Sequence, residues 1–446
     1  MSAAASVRSM PMWRALAVRD FRLLWSSEAV SVFGDQFHFI ALSWLVIDLT
    51  RSGLALGTIL IAIGVPRALM LLPFGVLADR RPPRNLMLVA HLGRGVVVGA
   101  IAALVLSETA TLPLLAVLGA VFGVLDALYL PAQQSFLPRT VEAGRLPSAN
   151  SLLQGTLQLT TIVGPPLAGA FIVAFSTGAA FVIDSISFFV AAAIVLLISG
   201  KGAMTAGIDA AQTTGDGVDG TADDPSAAEA QPSFLTAIRD GIRYVLADSP
   251  LAITLLLSMI LNFALNGPAA VGMPWLAEIR FNAGPAGLGL LSAAWGAGAL
   301  AGTLIAGNLH LARPGRILLA SVAVAGVAML VVAVAPVLVL TMVALAVMGL
   351  MVGFVNIVAI SWLQARIAQD MLGRVMSLAM LMGFGITPLS LGVAGALLDV
   401  NATLLFVGAG VLVVGVAVAA ALARYPSKFD APSPMFEATR PAQVTA

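Results

Sequence analysis

The chain has 446 residues, of which 59% are hydrophobic and only 10% charged. A soluble fold of this length carries about a quarter of its residues as Asp, Glu, Lys or Arg to cover its surface, so a water-soluble protein is excluded. The net charge of +1 leaves no basic field for nucleic acid, and the absence of cysteine removes disulfides, thiolate nucleophiles and Cys-based metal sites.

A bilayer core of about 30 Å needs roughly 20 apolar helical residues to cross it. Twelve stretches meet that need: 21–48, 53–77, 86–106, 113–135, 149–174, 178–198, 250–277, 284–308, 315–335, 337–362, 374–398 and 401–424. The first follows four arginines (Arg8, Arg14, Arg19 and Arg22), is interrupted by Gly34, Asp35 and Gln36, and lacks a small-residue cleavage site. It therefore reads as a retained helix and not as a cleaved signal peptide. The connections 107–112, 175–177 and 399–400 are short, which makes the spans they join antiparallel neighbours.

Residues 199–233 are rich in Gly, Ala, Thr and Asp and lack apolar periodicity, as a flexible solvated linker does. After them Phe234, Ile238, Ile242 and Val245 recur at helical spacing, with Arg239 and Arg243 off the stripe. Two readings fit: a short helix lying on the cytoplasmic membrane face, or an extension of the seventh span. The predicted organisation is a six-span half (1–198), a linker (199–233), a second half that includes the short helix (234–424) and a cytoplasmic tail (425–446).

Of the 23 Lys and Arg, only Arg51 and Arg280 fall in outside loops, and Arg67 and Arg94 lie within spans, when the N-terminus is placed inside. The positive-inside rule then puts both termini in the cytoplasm. The halves also repeat with a shift of about 231 residues. Gly75 to Arg84 aligns with Gly307 to Arg316, Gly144-Arg145 with Gly373-Arg374, and Pro165 with Pro388. Two six-helix repeats are a transporter architecture, with the substrate site near the bilayer midplane.

The stretch 75–84 resembles the cytoplasmic signature of the major facilitator superfamily, Gly-x-Leu-Ala-Asp-Arg-x-Gly-Arg-Arg/Lys. Gly75, Leu77, Ala78, Asp79, Arg80 and Arg84 match it, while Pro82 and Pro83 replace the family's Gly and Arg. The fifth span looks like the drug–proton antiporter motif at Gly164, Pro165 and Gly169, with Ser151, Thr160 and Ala168 where glycines are usual. The runs 126–138, 149–150, 164–169 and 183–188 are similar to the drug exporter subgroup that includes enterobactin and macrolide exporters.

This resemblance implies an all-α membrane protein of two pseudo-symmetric six-helix halves. It further implies a monomeric, proton-coupled exporter (antiporter) in the cell inner membrane, bathed in lipid and working by alternating access. The substrate would be a small amphipathic drug, macrolide or siderophore, and no cofactor is needed beyond the proton gradient. An importer or lipid flippase of the same fold and a passive channel remain open alternatives.

An ionisable group in mid-membrane costs about 2.5–3.5 kcal/mol on insertion scales and is a functional candidate by default. Asp35, Arg67, Arg94 and Asp126 qualify, and their repeat equivalents are the neutral Asn266, Ala299, Gly326 and Asn356. Opening or closing a carboxylate–guanidinium contact converts a conformational change into proton uptake or release. Asp35 is the expected principal proton acceptor, with Asp126 paired to Arg94 or Arg67 as the supporting switch; a static structural pair is the alternative for Asp126. His38, three residues after Asp35, is either a proton relay or a histidine hydrogen-bonded between helices. Gln154, Gln158, Asn262, Asn266, Trp295 and Asn356 are candidate cavity-lining residues, with helix–helix glue or plain packing as the competing roles.

Asp79 falls at the C-terminal end of an outside-to-inside helix, where the macrodipole disfavours an anion. It needs compensation from Arg80, Arg81 or Arg84, or from another helix's N-terminus; the family resemblance implies the eleventh span. His38, His91 and His310 are scattered, and neither HExxH nor GxSxG occurs, so no metal or catalytic site is expected. Lys201 and Lys428 lack the glycines of a phosphate loop, which argues against an ATP-driven pump.

Overall fold

The computed structural model describes residues 15–199, 234–309 and 314–430. The linker from 200 to 233 with Lys201, together with Arg8, Arg14, His310, Arg313 and the tail from 431, lies outside the described residues. Among the described residues the regular structure is helical throughout, and twelve helices are long and apolar enough to cross a membrane.

The first six are α1 (Arg19–Thr50), α2 (Gly53–Arg80), α3 (Pro83–Leu106), α4 (Leu112–Thr140), α5 (Leu146–Ala174) and α6 (Thr177–Leu196). A short α7 (Phe234–Ala247) precedes α8 (Ser249–Arg280), α9 (Gly284–Asn308), α10 (Pro314–Val334), α11 (Leu338–Arg366), α12 (Gln369–Val400) and α13 (Ala402–Leu422). A last turn, α14, covers Tyr425–Phe429. Each predicted span has its helix, and α1, α2, α4, α8 and α12 run a few residues further into charged or polar sequence.

Contacts divide the chain into two compact units, Met1–Leu45 with Ile59–Gln231 and Val46–Thr58 with Pro232–Ala446. In the first unit, small residues set the helix spacing. A Cβ at Gly34 would run into Ser187 and Asp184, so α1 lies directly on α6 there. A Cβ at Gly123 would meet the Ile63 carbonyl, and one at Gly164 the side chain of Gln36. These positions bring α4 onto α2 and α5 onto α1. Around them Phe21, Leu24, Met87, Leu128, Phe136 and Leu152 build an apolar core.

The second unit uses the same device more heavily. A Cβ on Gly298 or Gly302 would collide with the backbone of Ala346 or Leu350, and one on Gly349 or Gly353 with that of Trp295 or Ala299. The two helices α9 and α11 thus interlock glycine to backbone in both directions, the close approach that small residues allow in a membrane. By contrast, α8 is irregular, with π-type turns at Pro268–Gly272 and Leu276–Arg280. Pro268 and Pro274 supply no N–H, and Ser390 of α12 inserts into the ladder. Its hydroxyl accepts from the Gly267 amide at 2.8 Å and donates to the Phe263 carbonyl at 2.5 Å, a recognised cause of helix irregularity.

Of the two readings of 234–247, the extension of the seventh span is set aside by the break that precedes α8. The chain breaks at Asp248, whose backbone is extended and whose carboxylate caps the first turn of α8 through the Leu251 amide at 3.4 Å. So α7 is a separate helix and not an extension of the span. Val245 packs with Leu251, Leu363, Ile367 and Val375, and the Tyr244 hydroxyl accepts from the Ala368 amide at 3.2 Å. Asp248 also holds Arg366 in a buried two-point pair at 2.7 and 3.1 Å. The start of the predicted tail is ordered too. Tyr425 meets Thr254 hydroxyl to hydroxyl at 2.7 Å, and Phe429 stacks on Trp362 with 4.2 Å between ring centroids.

Candidate functional site

The charged residues of the first unit's spans gather into one network. Asp126 on α4 receives two arginines, Arg67 of α2 (Nε–Oδ2 2.9 Å) and Arg94 of α3 (Nη1–Oδ1 2.9 Å). The two differ in setting, since the Arg94 side chain is 2% exposed and that of Arg67 50%. Arg94 is sandwiched between the rings of Tyr129 and Phe188, 4.8 and 4.5 Å from its guanidinium carbon, as cation–π partners are. Its Nε is buried without a hydrogen-bond partner.

From Arg94 the network runs on to α1. Arg94 Nη2 lies 3.2 Å from His91 Nδ1, and since a guanidinium only donates, that ring nitrogen accepts. His91 is then a neutral imidazole whose Nε2–H faces the Ser27 hydroxyl at 3.4 Å, and Ser27 in turn donates to the Ala191 carbonyl at 3.2 Å. Tyr129, one turn after Asp126, donates its hydroxyl to the Glu28 carboxylate.

Asp35 lies seven residues after Glu28, on the same face of α1. It is half-buried, and among the described residues it makes neither a hydrogen bond nor an ion pair. The charges that act on it are Arg94, Asp184, Asp126 and Glu28. His38 does not pair with Asp35. Its ring stacks on Phe122 at 4.7 Å, and its Nδ1 stands 3.2 Å from Asp184 Oδ2 of α6. Neither of those two atoms completes a hydrogen bond, so they stand as close neighbours in a buried contact between α1 and α6.

The residues of the 75–84 signature have separate fates. Asp79 and Arg80 are exposed at the end of α2, and open space surrounds Gly75. Arg84 is committed to α6, donating from Nε to the Val195 carbonyl at 3.2 Å and from Nη2 to the Leu196 carbonyl at 2.7 Å. A cation on terminal carbonyls is a helix C-cap, favoured by the macrodipole, so Arg84 is not spare to compensate Asp79. In α5, Gly164, Pro165 and Gly169 are buried, and Gly164 faces Gln36, the neighbour of Asp35. Gln154 is exposed and Gln158 half-buried on the same helix.

In the second unit, four of the predicted lining residues converge. Asn262 and Asn266 of α8, Trp295 of α9 and Asn356 of α11 line one cavity of about 180 Å³. None of its lining side chains is ionisable.

A model of the family described as Major Facilitator Superfamily matches residues 24–389. The chain belongs to the Major Facilitator Superfamily. It is therefore a membrane transport protein with the twelve-helix fold of that superfamily. It is 25% identical over 359 residues to the uncharacterized MFS-type transporter YfiS of Bacillus subtilis (strain 168), covering 79% of this chain and 80% of that one. With YvqJ of the same organism, also an uncharacterized MFS-type transporter, it shares 22% over 322 residues, or 72% and 71% of the two chains.

Solved transporter structures share the fold. A bacterial homologue of the iron transporter ferroportin in its inward-facing state superposes with a TM-score of 0.66 at 16% identity, over 92% of this chain and 99% of that one. The nucleoside transporter NupG gives 0.64 at 14% identity, over 92% and 99%.

Four members of the charged network are absent from the residues singled out in the sequence: Glu28, His91, Tyr129 and Asp184. Glu28 and Asp184 were within reach, because each is a carboxylate inside a predicted span and meets the same criterion that selects Asp35. Tyr129 and His91 carry no such signal. Each lies one turn from a charged residue, and only the packing of α1, α3 and α4 turns that neighbourhood into contacts.

Proposed function

We propose that this superfamily member is a proton-coupled exporter of small amphipathic compounds, a monomer in the cell inner membrane that works by alternating access and uses the proton gradient in place of a cofactor. One observation carries the coupling. Away from their ends, the described spans of the first unit hold four carboxylates (Glu28, Asp35, Asp126 and Asp184) and two guanidiniums, Arg67 and Arg94, and both guanidiniums are spent on Asp126. An ionised carboxylate withdrawn from water without a partner costs several kcal/mol. The network is therefore closest to neutral when protons are bound, and Asp35, partly accessible and unpaired, is the group best placed to exchange one. Export is supported by the likeness of 126–138 and 164–169 to drug exporters, and Asp79 is assigned to the cytoplasmic gate on the likeness of 75–84 to the superfamily signature.

A proton crossing the membrane potential gains about 2.3 kcal/mol per 100 mV, enough to drive substantial substrate gradients. The test is substrate-dependent proton movement in proteoliposomes, screened with siderophores, macrolides and cationic drugs. Asp35→Asn keeps the shape and cannot titrate. It is expected to abolish gradient-driven transport while partly retaining energy-independent exchange. Wild-type pumping by Asp35→Asn would reject Asp35 as the proton acceptor.

A further inference from the structure

The two halves place opposite chemistry at equivalent positions. Asp35 and Asp126 sit in the charged network, whereas their repeat counterparts Asn266 and Asn356 both line the cavity of the second unit. Arg67 and Arg94 have the uncharged Ala299 and Gly326 as counterparts, so the second half carries no guanidinium at either position. The cavity, of about 180 Å³ between α8, α9, α10 and α11, is uncharged and mostly apolar.

Its polar groups are few and partly uncommitted. Asn262 donates to its own helix at Ser258 (2.8 Å). Asn266 donates to Asn262 Oδ1 at 3.3 Å and to Thr387 at 3.4 Å, which leaves its own carbonyl oxygen open. Among the described residues, the Trp295 indole N–H and the Asn356 carboxamide have no hydrogen-bond partner. An apolar cavity with a few convergent polar groups is the usual form of a small-molecule site. An indole offers a flat face for stacking, a carboxamide offers a donor and an acceptor side by side, and an uncharged lining rejects an ion.

The geometry points to this cavity as the subsite for the uncharged end of the substrate: a planar one- or two-ring group with an amide or lactam edge. The size agrees, since a dry cavity of about 150 Å³ holds benzene. This rests on the transport reading above but not on proton coupling, so the two can fail separately.

The test is equilibrium binding to the purified full-length protein in lipid nanodiscs, with no gradient present. Three probes of similar shape are titrated: 1-naphthamide, 1-methylnaphthalene and 1-naphthylmethylammonium. Naphthamide should bind saturably and at least about tenfold more tightly than the other two. Asn356→Leu should bring naphthamide down to the level of the hydrocarbon, and Trp295→Phe should remove most of the tryptophan quenching that accompanies binding. Val355→Phe, at a half-buried lining position, should block all three by filling the space. Monodisperse elution and unchanged thermal unfolding qualify each variant, and Asn356→Ser replaces any Leu variant that does not fold. Absence of saturable naphthamide binding, equal or tighter binding of the cation, or indifference to all the folded variants would each overturn the assignment. Saturable naphthamide binding by a parent protein that shows no substrate-dependent proton movement would reject the coupling and leave the subsite standing.

Discussion

Removing the carboxylate of Asp126 isolates two arginines in unequal surroundings, and that inequality sets the size of the effect. Among the described residues, Asp126→Asn leaves Arg94, 2% exposed, in contact with His91 and two aromatic rings, with Glu28 and Asp35 as more distant charges. Stripping the partner from a buried charge costs about 3–5 kcal/mol. The Arg67 side chain is half in contact with the surroundings, and an exposed pair is worth at most about 1 kcal/mol. For a cooperative unit of roughly 200 residues, each kcal/mol moves the melting temperature by about 2–4 °C. Asp126→Asn should therefore melt roughly 6–20 °C lower, and Arg67→Gln less than about 4 °C lower. Thermal unfolding of the purified variants measures both. The double variant Asp126→Asn with Arg94→Gln removes the orphaned charge together with its partner, so it should be more stable than Asp126→Asn alone. A melting temperature of Asp126→Asn within about 2 °C of the parent, or a double variant that is less stable still, would refute the picture of Arg94 as a dry cation dependent on this one anion.

Three further outcomes follow from the second unit. Asp399 accepts from Ser52 Oγ and the Gly53 amide, each at 2.6 Å, and so caps the first turn of α2. Asp399→Ala should cost about 1–2 kcal/mol and speed hydrogen exchange at 52–56, whereas unchanged exchange would deny the cap. Gly302→Val drives a side chain into the Leu350 backbone and should leave no monodisperse protein, while Gly307→Val, with open space around it, should be recovered normally. Tyr425→Phe should lose about 1 kcal/mol with its Thr254 bond. Burial pushes the Tyr425 hydroxyl above the ordinary tyrosine range. The parent's stability should therefore fall once the unfolded chain ionises above about pH 10, a slope that the Phe variant lacks.

The spans were legible because the bilayer imposes one length and one polarity on them. Charged helix ends such as Asp79-Arg80 stay helical past the apolar limit, which is why those boundaries run short. Hydropathy could not place the break at Asp248, since it depends on a side chain capping the next helix. The pairing of Asp126 with both arginines was half legible: residue types and depth nominated the three, but only packing decided that neither arginine is spare. Spacing along its own helix set His38 beside Asp35 but could not name its nearest carboxylate in space. The carboxylate that claims it, Asp184, is distant in sequence and reaches it because Gly34 lets α1 and α6 touch. Of the lining candidates, the four from the second half meet in one cavity because α9 and α11 are locked together beside α8.

That lock divides the cavity's walls into unlike materials. The face made by α9 and α11 is a braced beam: each glycine abuts the other helix's backbone, so neither helix can slide or spread without breaking contact along its length. Opposite it, α8 is a compliant strut, its ladder relayed through one serine hydroxyl and its turns loosened by two prolines. On the proposed subsite, a guest larger or smaller than the resting space would be accommodated on the α8 side and not by α9 or α11. The breadth of compounds that such a subsite accepts would be a property of α8 and Ser390, tunable there without disturbing the frame that keeps Trp295 in position.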